Sequence, residues 1–255
     1  MRTVTTRQAR SAKSVGQLAC DVAHLRRYPG DPAILRAPAQ LREYESFADR
    51  VASDLPSRVL DWGCGLGHMT RLLRDRGLNV TAFDYDADAP DDGLVLRDAY
   101  PEIEIRLSRS PVSLPYETAS FDAVLSCGVF EHVPFPEASL EEIRRVLIPG
   151  GRFYLFKLAN RWSYLERIAR RLGWYYHGAL PDDRTYTLRS VRELLEAHGS
   201  VVDEMSHSNL LPLTVTGAVA NRMAPVLWMV NRVLTRIPGL NVVATNIDLV
   251  ATRRT

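Results

Sequence analysis

The densest chemistry in this chain lies in the run Val59-Leu60-Asp61-Trp62-Gly63-Cys64-Gly65-Leu66-Gly67. An apolar stretch closes on three glycines, and a helical pattern opens directly after them, from His68 to Arg76. Glycine lets the backbone approach a ligand where any side chain would obstruct it. A strand–loop–helix turn of this kind holds nucleotides at the carboxyl edge of a parallel sheet. Twenty-one residues past Gly63, at the end of the next apolar run, stands Asp84. A carboxylate there can accept the hydrogens of both ribose hydroxyls.

Two details bear on which nucleotide this would be. A dinucleotide fingerprint, G-x-G-x-x-G, needs glycine at position 68, but His68 is there and the glycine falls at 67. Asp61 also sets a carboxylate at the mouth of the loop. That charge repels a pyrophosphate but attracts the ammonium and sulfonium of S-adenosylmethionine. A glycine loop alone is weak evidence; loop, upstream acid and ribose acid at this spacing are strong.

The elements needed to position these groups are legible as alternating short apolar runs and helical stripes. Arg58 to Trp62, Asn79 to Asp84, Ile103 to Leu107, Phe121 to Cys127 and Arg152 to Leu158 read as strands. Helices are expected at His68 to Arg76 and about Pro136 to Ile148, and strands separated by helices imply a parallel sheet covered on both faces. Thr187 reads as the N-cap of a helix over Leu188 to His198, with Gly199 at its C-terminal end. Val201 to Met205 and Val242 to Ala251 read as the last two strands. Two further stripes at helical spacing are Trp162, Leu165, Ala169 and Leu172, and Met223, Val226, Leu227, Val230, Val233, Leu234 and Ile237. Residues 1–57 read as a helical lead-in through Leu41, Tyr44, Phe47, Ala48 and Val51.

Composition narrows the class. With 255 residues, 32 Lys+Arg against 30 Asp+Glu and 46% hydrophobic residues, the chain has the make-up of an ordinary globular α/β protein. A net charge of +2 argues against a dedicated nucleic-acid binder. Cys20, Cys64 and Cys127 show no framework spacing, which points to a reducing, cytoplasmic setting. The start carries Arg2, Arg7, Arg10 and Lys13 with no acid before Asp21 and no apolar signal core. It reads as a solvated or substrate-capping segment, with an organelle transit peptide as the alternative.

Taken with Leu114-Pro115-Tyr116, Phe121-Asp122-Ala123-Val124, Phe130-Glu131-His132-Val133 and Arg145-Val146-Leu147-Ile148-Pro149-Gly150-Gly151, the glycine run resembles that of the class I (Rossmann-like) S-adenosylmethionine-dependent methyltransferases. The resemblance is greatest to the small-molecule branch that includes ubiquinone-biosynthesis O-methyltransferases, and it covers roughly residues 55–205. It implies an α/β fold with a doubly wound, mostly parallel seven-stranded sheet. A helical N-terminal segment (1–50) would precede a methyltransferase domain (51–255) with helical cap insertions at about 160–198 and 210–240. It further implies that Gly63, Cys64, Gly65 and Gly67 line the methionine end of the cofactor, with Asp61 behind them. Asp84 would hold the ribose, and Tyr85 would lie along the adenine. Cys127, ending the fourth expected strand, would offer a backbone carbonyl near the cofactor's amino group. The family often has an acid four positions before the Leu-Pro pair, contacting the adenine. This chain has Ser110 there, followed by Pro111, so backbone groups at these two positions are expected to substitute.

His132 is the catalytic candidate. It follows the fourth expected strand, where the sulfonium methyl should point, and could act as base toward an acceptor hydroxyl; the alternative is a packing role for Glu131-His132. No metal is expected, because no further ligands accompany that pair. Arg161, Trp162, Tyr164, Arg167, Arg170, Arg171, Trp174, Tyr175, Tyr176 and His177 form an Arg/aromatic segment suited either to capping the pocket or to a solvated helix. Asp182, Asp183 and His207 are lesser candidates. Leu210 to Leu240 carries Arg222, Arg232 and Arg236 and no acid; it reads as a packed cap over the site, with membrane contact as the less favoured reading.

The expected activity is O-methylation of a small molecule by in-line transfer. Carbon or nitrogen methylation of a hydrophobic or lipid-like acceptor is the alternative, and an NAD-dependent oxidoreductase or a non-catalytic cofactor-binding protein ranks below it. Nucleic-acid amino methylation is disfavoured, since Cys127-Gly128-Val129-Phe130 lacks the Asn/Asp-Pro-Pro-aromatic pattern.

Overall fold

The computed structural model describes residues 37–86, 94–97, 100–173 and 182–254. The readings made for Cys20, for the basic start and for Trp174 to His177 lie outside these residues. Helix α1 (Pro38–Ala52) opens with proline in its first turn, where the missing N–H costs nothing, and buries Tyr44, Phe47, Ala48 and Val51. It runs continuously through position 50. Strand β1 (Val59–Trp62) is buried throughout, and α2 (His68–Arg74) follows the glycine loop. Then come β2 (Val80–Tyr85), β3 (Leu94–Arg97), β4 (Tyr100–Ser108) and β5 (Phe121–Cys127). A 3₁₀ turn (Phe130–His132) leads to α3 (Pro136–Val146), β6 (Leu147–Ala159), α4 (Tyr164–Arg171) and α5 (Leu188–Ala197). The chain ends with β7 (Ser200–Ser208), α6 (Ala218–Leu234) and β8 (Asn246–Arg253).

The sheet order is β3-β4-β2-β1-β5-β6-β8-β7. Strands β4, β2, β1, β5 and β6 pair in parallel, while β8 runs antiparallel between β6 and β7. These are the seven strands expected. Short β3 adds an eighth at the edge, antiparallel to β4. The central strands are buried on both faces, as the near-continuous apolar runs of a covered parallel sheet require. Leu60, Phe83, Val124 and Leu155 pack with residues of α3 and α5, whereas Val59, Leu125, Tyr154 and Phe156 pack with Tyr44, Phe47 and Val51 of α1 and Leu73 of α2. Because β1 has β2 on one side and β5 on the other, the chain turns opposite ways from it. The glycine loop at its carboxyl end therefore sits at the switch point, where ligands bind in such sheets.

The cap helices depart from expectation. No residue of α4 is buried, and Trp162 and Leu172 of its stripe are exposed. In α6 the apolar stripe faces the other way from a packed cap: Met223, Val226, Val230 and Val233 are exposed, and the inward side carries Ala224 and Asn231. Small Ala224 packs with Ala39 and Leu213. Asn231 accepts the Leu210 and Leu211 N–H groups through Oδ1 at 2.8 and 2.9 Å. Periodicity located this helix; which face turned inward was decided by a close approach and a polar tether. Thr187 caps α5 as expected, accepting the Ser190 N–H at 3.0 Å in a reciprocal capping box.

Candidate functional site

The loop after β1 is shaped by backbone constraints. Gly63, Gly65 and Gly67 all have positive φ, at 78°, 57° and 89°. At Gly63 a Cβ would come within 2.4 Å of Val129 Cγ1, so here glycine is required by packing as well as by conformation. The Gly63 and Cys64 N–H groups both donate to the Phe83 carbonyl, at 2.9 and 3.0 Å, which fastens the loop to the end of β2.

Beside the loop lies a narrow cleft lined by Trp62, Gly63, Phe83, Asp84, Tyr85 and Ser110 to Val112, with Val129 and Val133. Of the ten expected cofactor residues, Gly63, Asp84, Tyr85, Ser110 and Pro111 meet there. Asp61, Cys64, Gly65, Gly67 and Cys127 do not line it.

Asp84 is fully buried and accepts the Tyr85 N–H at 2.9 Å. Asp61, also buried, accepts the Thr70 hydroxyl at 2.6 Å and so ties β1 to the first turn of α2. It stands behind the loop and not at its mouth. Burial pushes the Asp61 carboxyl up to about 7, against the Thr70 hydrogen bond and with the Asp84 charge adding to the rise. The titratable groups beside the loop include the Asp61 and Asp84 carboxyls, and no Lys or Arg lines the cleft among the described residues. A pyrophosphate meets no cationic side chain there among the described residues. A nucleoside carrying positive charge suits both the Asp84 carboxylate and the apolar walls.

Ser110 is occupied in its own turn. Its Oγ accepts the Ser113 N–H at 2.9 Å and the Val112 N–H at 3.3 Å. Arg145 holds the adjoining segment, donating to the Leu114 and Tyr116 carbonyls and to Glu142, while Glu142 accepts the Leu114 N–H. That explains physically why the Leu-Pro-Tyr and Arg-Val-Leu stretches occur together. Cys127 lies in the apolar cluster under α1, and burial raises its thiol well above the ordinary value. The other candidate cysteine, Cys64, is buried, whereas Cys127 is partly exposed.

His132 closes the 3₁₀ turn between Val129 and Val133, two residues that line the cleft. Its Nδ1 lies 2.7 Å from Asp183 Oδ1, and its Nε2 lies 3.9 Å from Glu131 Oε1. Both Asp183 and Glu131 side chains are buried. The Asp183 carboxylate orients the ring through Nδ1, while Nε2 faces Glu131. The structure thus promotes Asp183 from a minor candidate to the partner of His132. His207 lies elsewhere, in a separate pocket with α1 and α6.

Sequence reasoning missed a second polar group at the carboxyl edge. Lys157 sits in β6 at a register shift, with φ of 60° in a region that costs most side chains energy. Its Nζ is 2.8 Å from Glu43 Oε2 of α1, and its N–H donates to Asp248 Oδ1 at 2.8 Å. Burial works against the lysine charge, but Glu43 more than offsets it and holds Lys157 above its usual value. Burial, with the Glu43 charge, pushes Asp248 up to about 6. The signal was available: Lys157 is one of only two lysines in the chain and interrupts the apolar run Phe153-Tyr154-Leu155-Phe156. His68 was also passed over as a side chain; it is buried beside Tyr100, and burial lowers it to about 4.

Comparison with known proteins agrees with this geometry. Residues 60–155 match the family described as Methyltransferase domain. An uncharacterized methyltransferase of Mycobacterium tuberculosis is 38% identical over 117 residues, covering 46% of this chain and 43% of that protein. A ubiquinone biosynthesis O-methyltransferase of Xanthomonas oryzae is 35% identical over 106 residues, covering 40% of this chain and 43% of that protein. The matched segment therefore spans less than half the length of these relatives. Among solved structures, the 1,6-didemethyltoxoflavin-N1-methyltransferase of Burkholderia thailandensis, with S-adenosylhomocysteine bound, superposes with TM-score 0.51 at 18% identity, covering 86% of this chain and 80% of that one. The [4+2]-cyclase SpnF superposes with TM-score 0.51 at 17% identity, covering 83% and 81%. These likenesses establish the fold, and SpnF marks that the fold alone does not dictate the reaction.

Proposed function

As a member of the class I, Rossmann-like methyltransferases, this chain, we propose, binds S-adenosylmethionine in the cleft beside Gly63 and methylates a small molecule, at oxygen. The observation that carries the reading is the pairing of a fully buried Asp84 with a cleft free of lysine and arginine among the described residues. Such a site favours a nucleoside bearing positive charge over one bearing phosphates.

Asp84 accepts the ribose hydroxyls. Phe83, Tyr85 and Val133 give the base an apolar slot, and backbone groups at Ser110 to Val112 meet its edge. The Gly63 to Gly67 loop and the Cys127 carbonyl receive the amino-acid end, with Asp61 supplying negative charge from behind. The bound cofactor contributes an electrophilic methyl group on a sulfonium. Since an in-line displacement gains most from alignment, the chain's main task is to hold the acceptor oxygen opposite that methyl. His132 takes the acceptor's proton on Nε2, and Asp183 steadies the resulting imidazolium through Nδ1. A base so placed is worth about 10²–10⁴-fold.

The test is transfer of isotopically labelled methyl from S-adenosylmethionine to a panel of phenols, carboxylic acids, amines and activated-methylene compounds, with products fragmented to locate the label. Oxygen-bound label supports the reading. Label on nitrogen or carbon redirects it to the other acceptor classes. Binding of the cofactor with no transfer to any acceptor refutes methyl transfer and leaves a cofactor-binding protein.

A further inference from the structure

Helix α6 is amphipathic in the reverse sense. Its inner side packs against α1 and the 209–211 turn through Ala224 and Asn231, with Trp228 and Leu227 at the boundary. On the solvent side, Val219, Met223, Val226, Met229, Val230 and Val233 fall within an arc of about 120° at 100° per residue. All six are exposed, Val219 at 78% and Met229 and Val233 at 57% and 56%. An apolar arc of that size left in water is unusual and marks an interaction surface.

Charge says what covers it. Arg222 lies within the arc and Arg236 follows one edge; no Asp or Glu occurs between Glu204 and Asp248. Arg232 turns away from the arc and stacks on Trp228 beside the inner cluster, its guanidinium carbon 4.7 Å from the ring centroid. A second copy applied to the same face would set arginine against arginine. Residues 1–36 hold seven Lys+Arg against two Asp, so they too carry the same sign. Both occupants available within the chain are thus disfavoured by charge. The matching surface is apolar just below a negatively charged layer, which describes the headgroup region of an anionic bilayer. No helix among the described residues is long and apolar enough to cross a membrane, so contact through α6 is parallel to the surface.

We propose that α6 docks this protein on anionic membrane surfaces through the arc from Val219 to Val233, with Arg222 and Arg236 engaging lipid headgroups. The helix is held rigidly for this. Asn231 pins its inner side to the turn, and the Tyr164 hydroxyl of α4 donates to the Leu210 carbonyl of that same turn.

The experiment is co-sedimentation of the full chain with vesicles of phosphatidylcholine alone and of phosphatidylcholine mixed with phosphatidylglycerol. The expected result is binding to the mixed vesicles that weakens as salt rises, with little binding to phosphatidylcholine alone. Arg222→Gln/Arg236→Gln should weaken it roughly 30-fold, about 1 kcal/mol for each arginine near the surface. Val226→Asp/Val233→Asp should abolish it. Both pairs point to solvent, so both variants should melt within about 2 °C of the parent, which separates lost docking from lost folding. Failure to bind mixed vesicles overturns the proposal, as does binding that neither variant disturbs or that ignores lipid charge. A dimer in sedimentation velocity that Val226→Asp/Val233→Asp dissociates, with no vesicle binding, assigns the arc to a second copy instead. None of these readouts depends on methyl transfer.

Discussion

Replacing Asp84 by asparagine probes the nucleoside site at the atom that matters most. The side chain keeps its shape, and its carbonyl oxygen can still accept the Tyr85 N–H, as Oδ1 now does at 2.9 Å. The remaining group becomes an NH₂, so two hydroxyl hydrogens that a carboxylate would accept lose a charged acceptor. Hydrogen bonds to a charged partner are worth about 1.5–3 kcal/mol each. With the amide retaining part of one, the net loss should be about 2–4 kcal/mol, or roughly 30- to 1,000-fold in Kd. The free protein should respond as well: Asp61 loses a like-charged neighbour that raises its carboxyl, so the fall in melting temperature between pH 5 and pH 8 should be smaller than in the parent. Isothermal titration of S-adenosylhomocysteine into parent and Asp84→Asn protein at pH 8, with melting curves beside it, measures both. Binding by Asp84→Asn within threefold of the parent would refute the placement of ribose against this carboxylate.

Gly63→Ala drives a Cβ to 2.4 Å from Val129 Cγ1 at a φ of 78°; it should cost about 2–4 kcal/mol and weaken cofactor binding, and Val129→Ala in the same chain should restore part of both. Asp61 has a folded-state pKa of about 7 against 3.8 for the free side chain. The folded protein therefore holds the extra proton in between, and stability is lost as pH rises through that window. Asp61→Asn should accordingly melt above the parent at pH 8, with the gap shrinking toward pH 5 by on the order of 3 kcal/mol; equal melting temperatures at both pH values would contradict the assignment. Glu43→Gln leaves the buried Lys157 ammonium without its partner and should cost about 3 kcal/mol, read as a fall of roughly 10 °C in melting temperature. His132→Ala should lower turnover on a hydroxyl acceptor by about 10²-fold or more and leave S-adenosylhomocysteine affinity unchanged. Asp183→Asn should lower turnover less and shift its pH profile. Turnover and pH profile matching the parent would return His132 to a packing role.

The central sheet was legible because its strands are buried on both faces. An apolar run such as Phe121 to Cys127 has no other economical use, and the observed strand matches its expected bounds. The glycine loop was legible for a different reason, since three glycines at alternate positions between a strand and a helix answer a local backbone demand that sequence states directly. Asp61 was legible only in part: the charge argument put its carboxylate at the mouth of the loop and the resemblance put it behind, and the Thr70 hydroxyl, nine residues on, holds it from α2. The His132–Asp183 contact joins residues 51 apart, with α3, β6 and α4 between them in the chain, and no periodicity predicts such a pairing. Lys157 and Glu43 are 114 residues apart and meet only because α1 packs on the same face as β6. In α6 the apolar stripe was read correctly as a helix and wrongly as its buried face. Hydrophobic periodicity assumes the apolar side turns inward, and here a small residue and an amide won the interior.

The most direct test of the account is calorimetric titration of the full chain with S-adenosylhomocysteine and with NADH, at pH 8. The charge and lining of the cleft predict saturable one-to-one binding of S-adenosylhomocysteine and no heat from NADH. Binding of NADH in its place would contradict the reading of Asp61, Asp84 and the cleft between the glycine loop and Ser110.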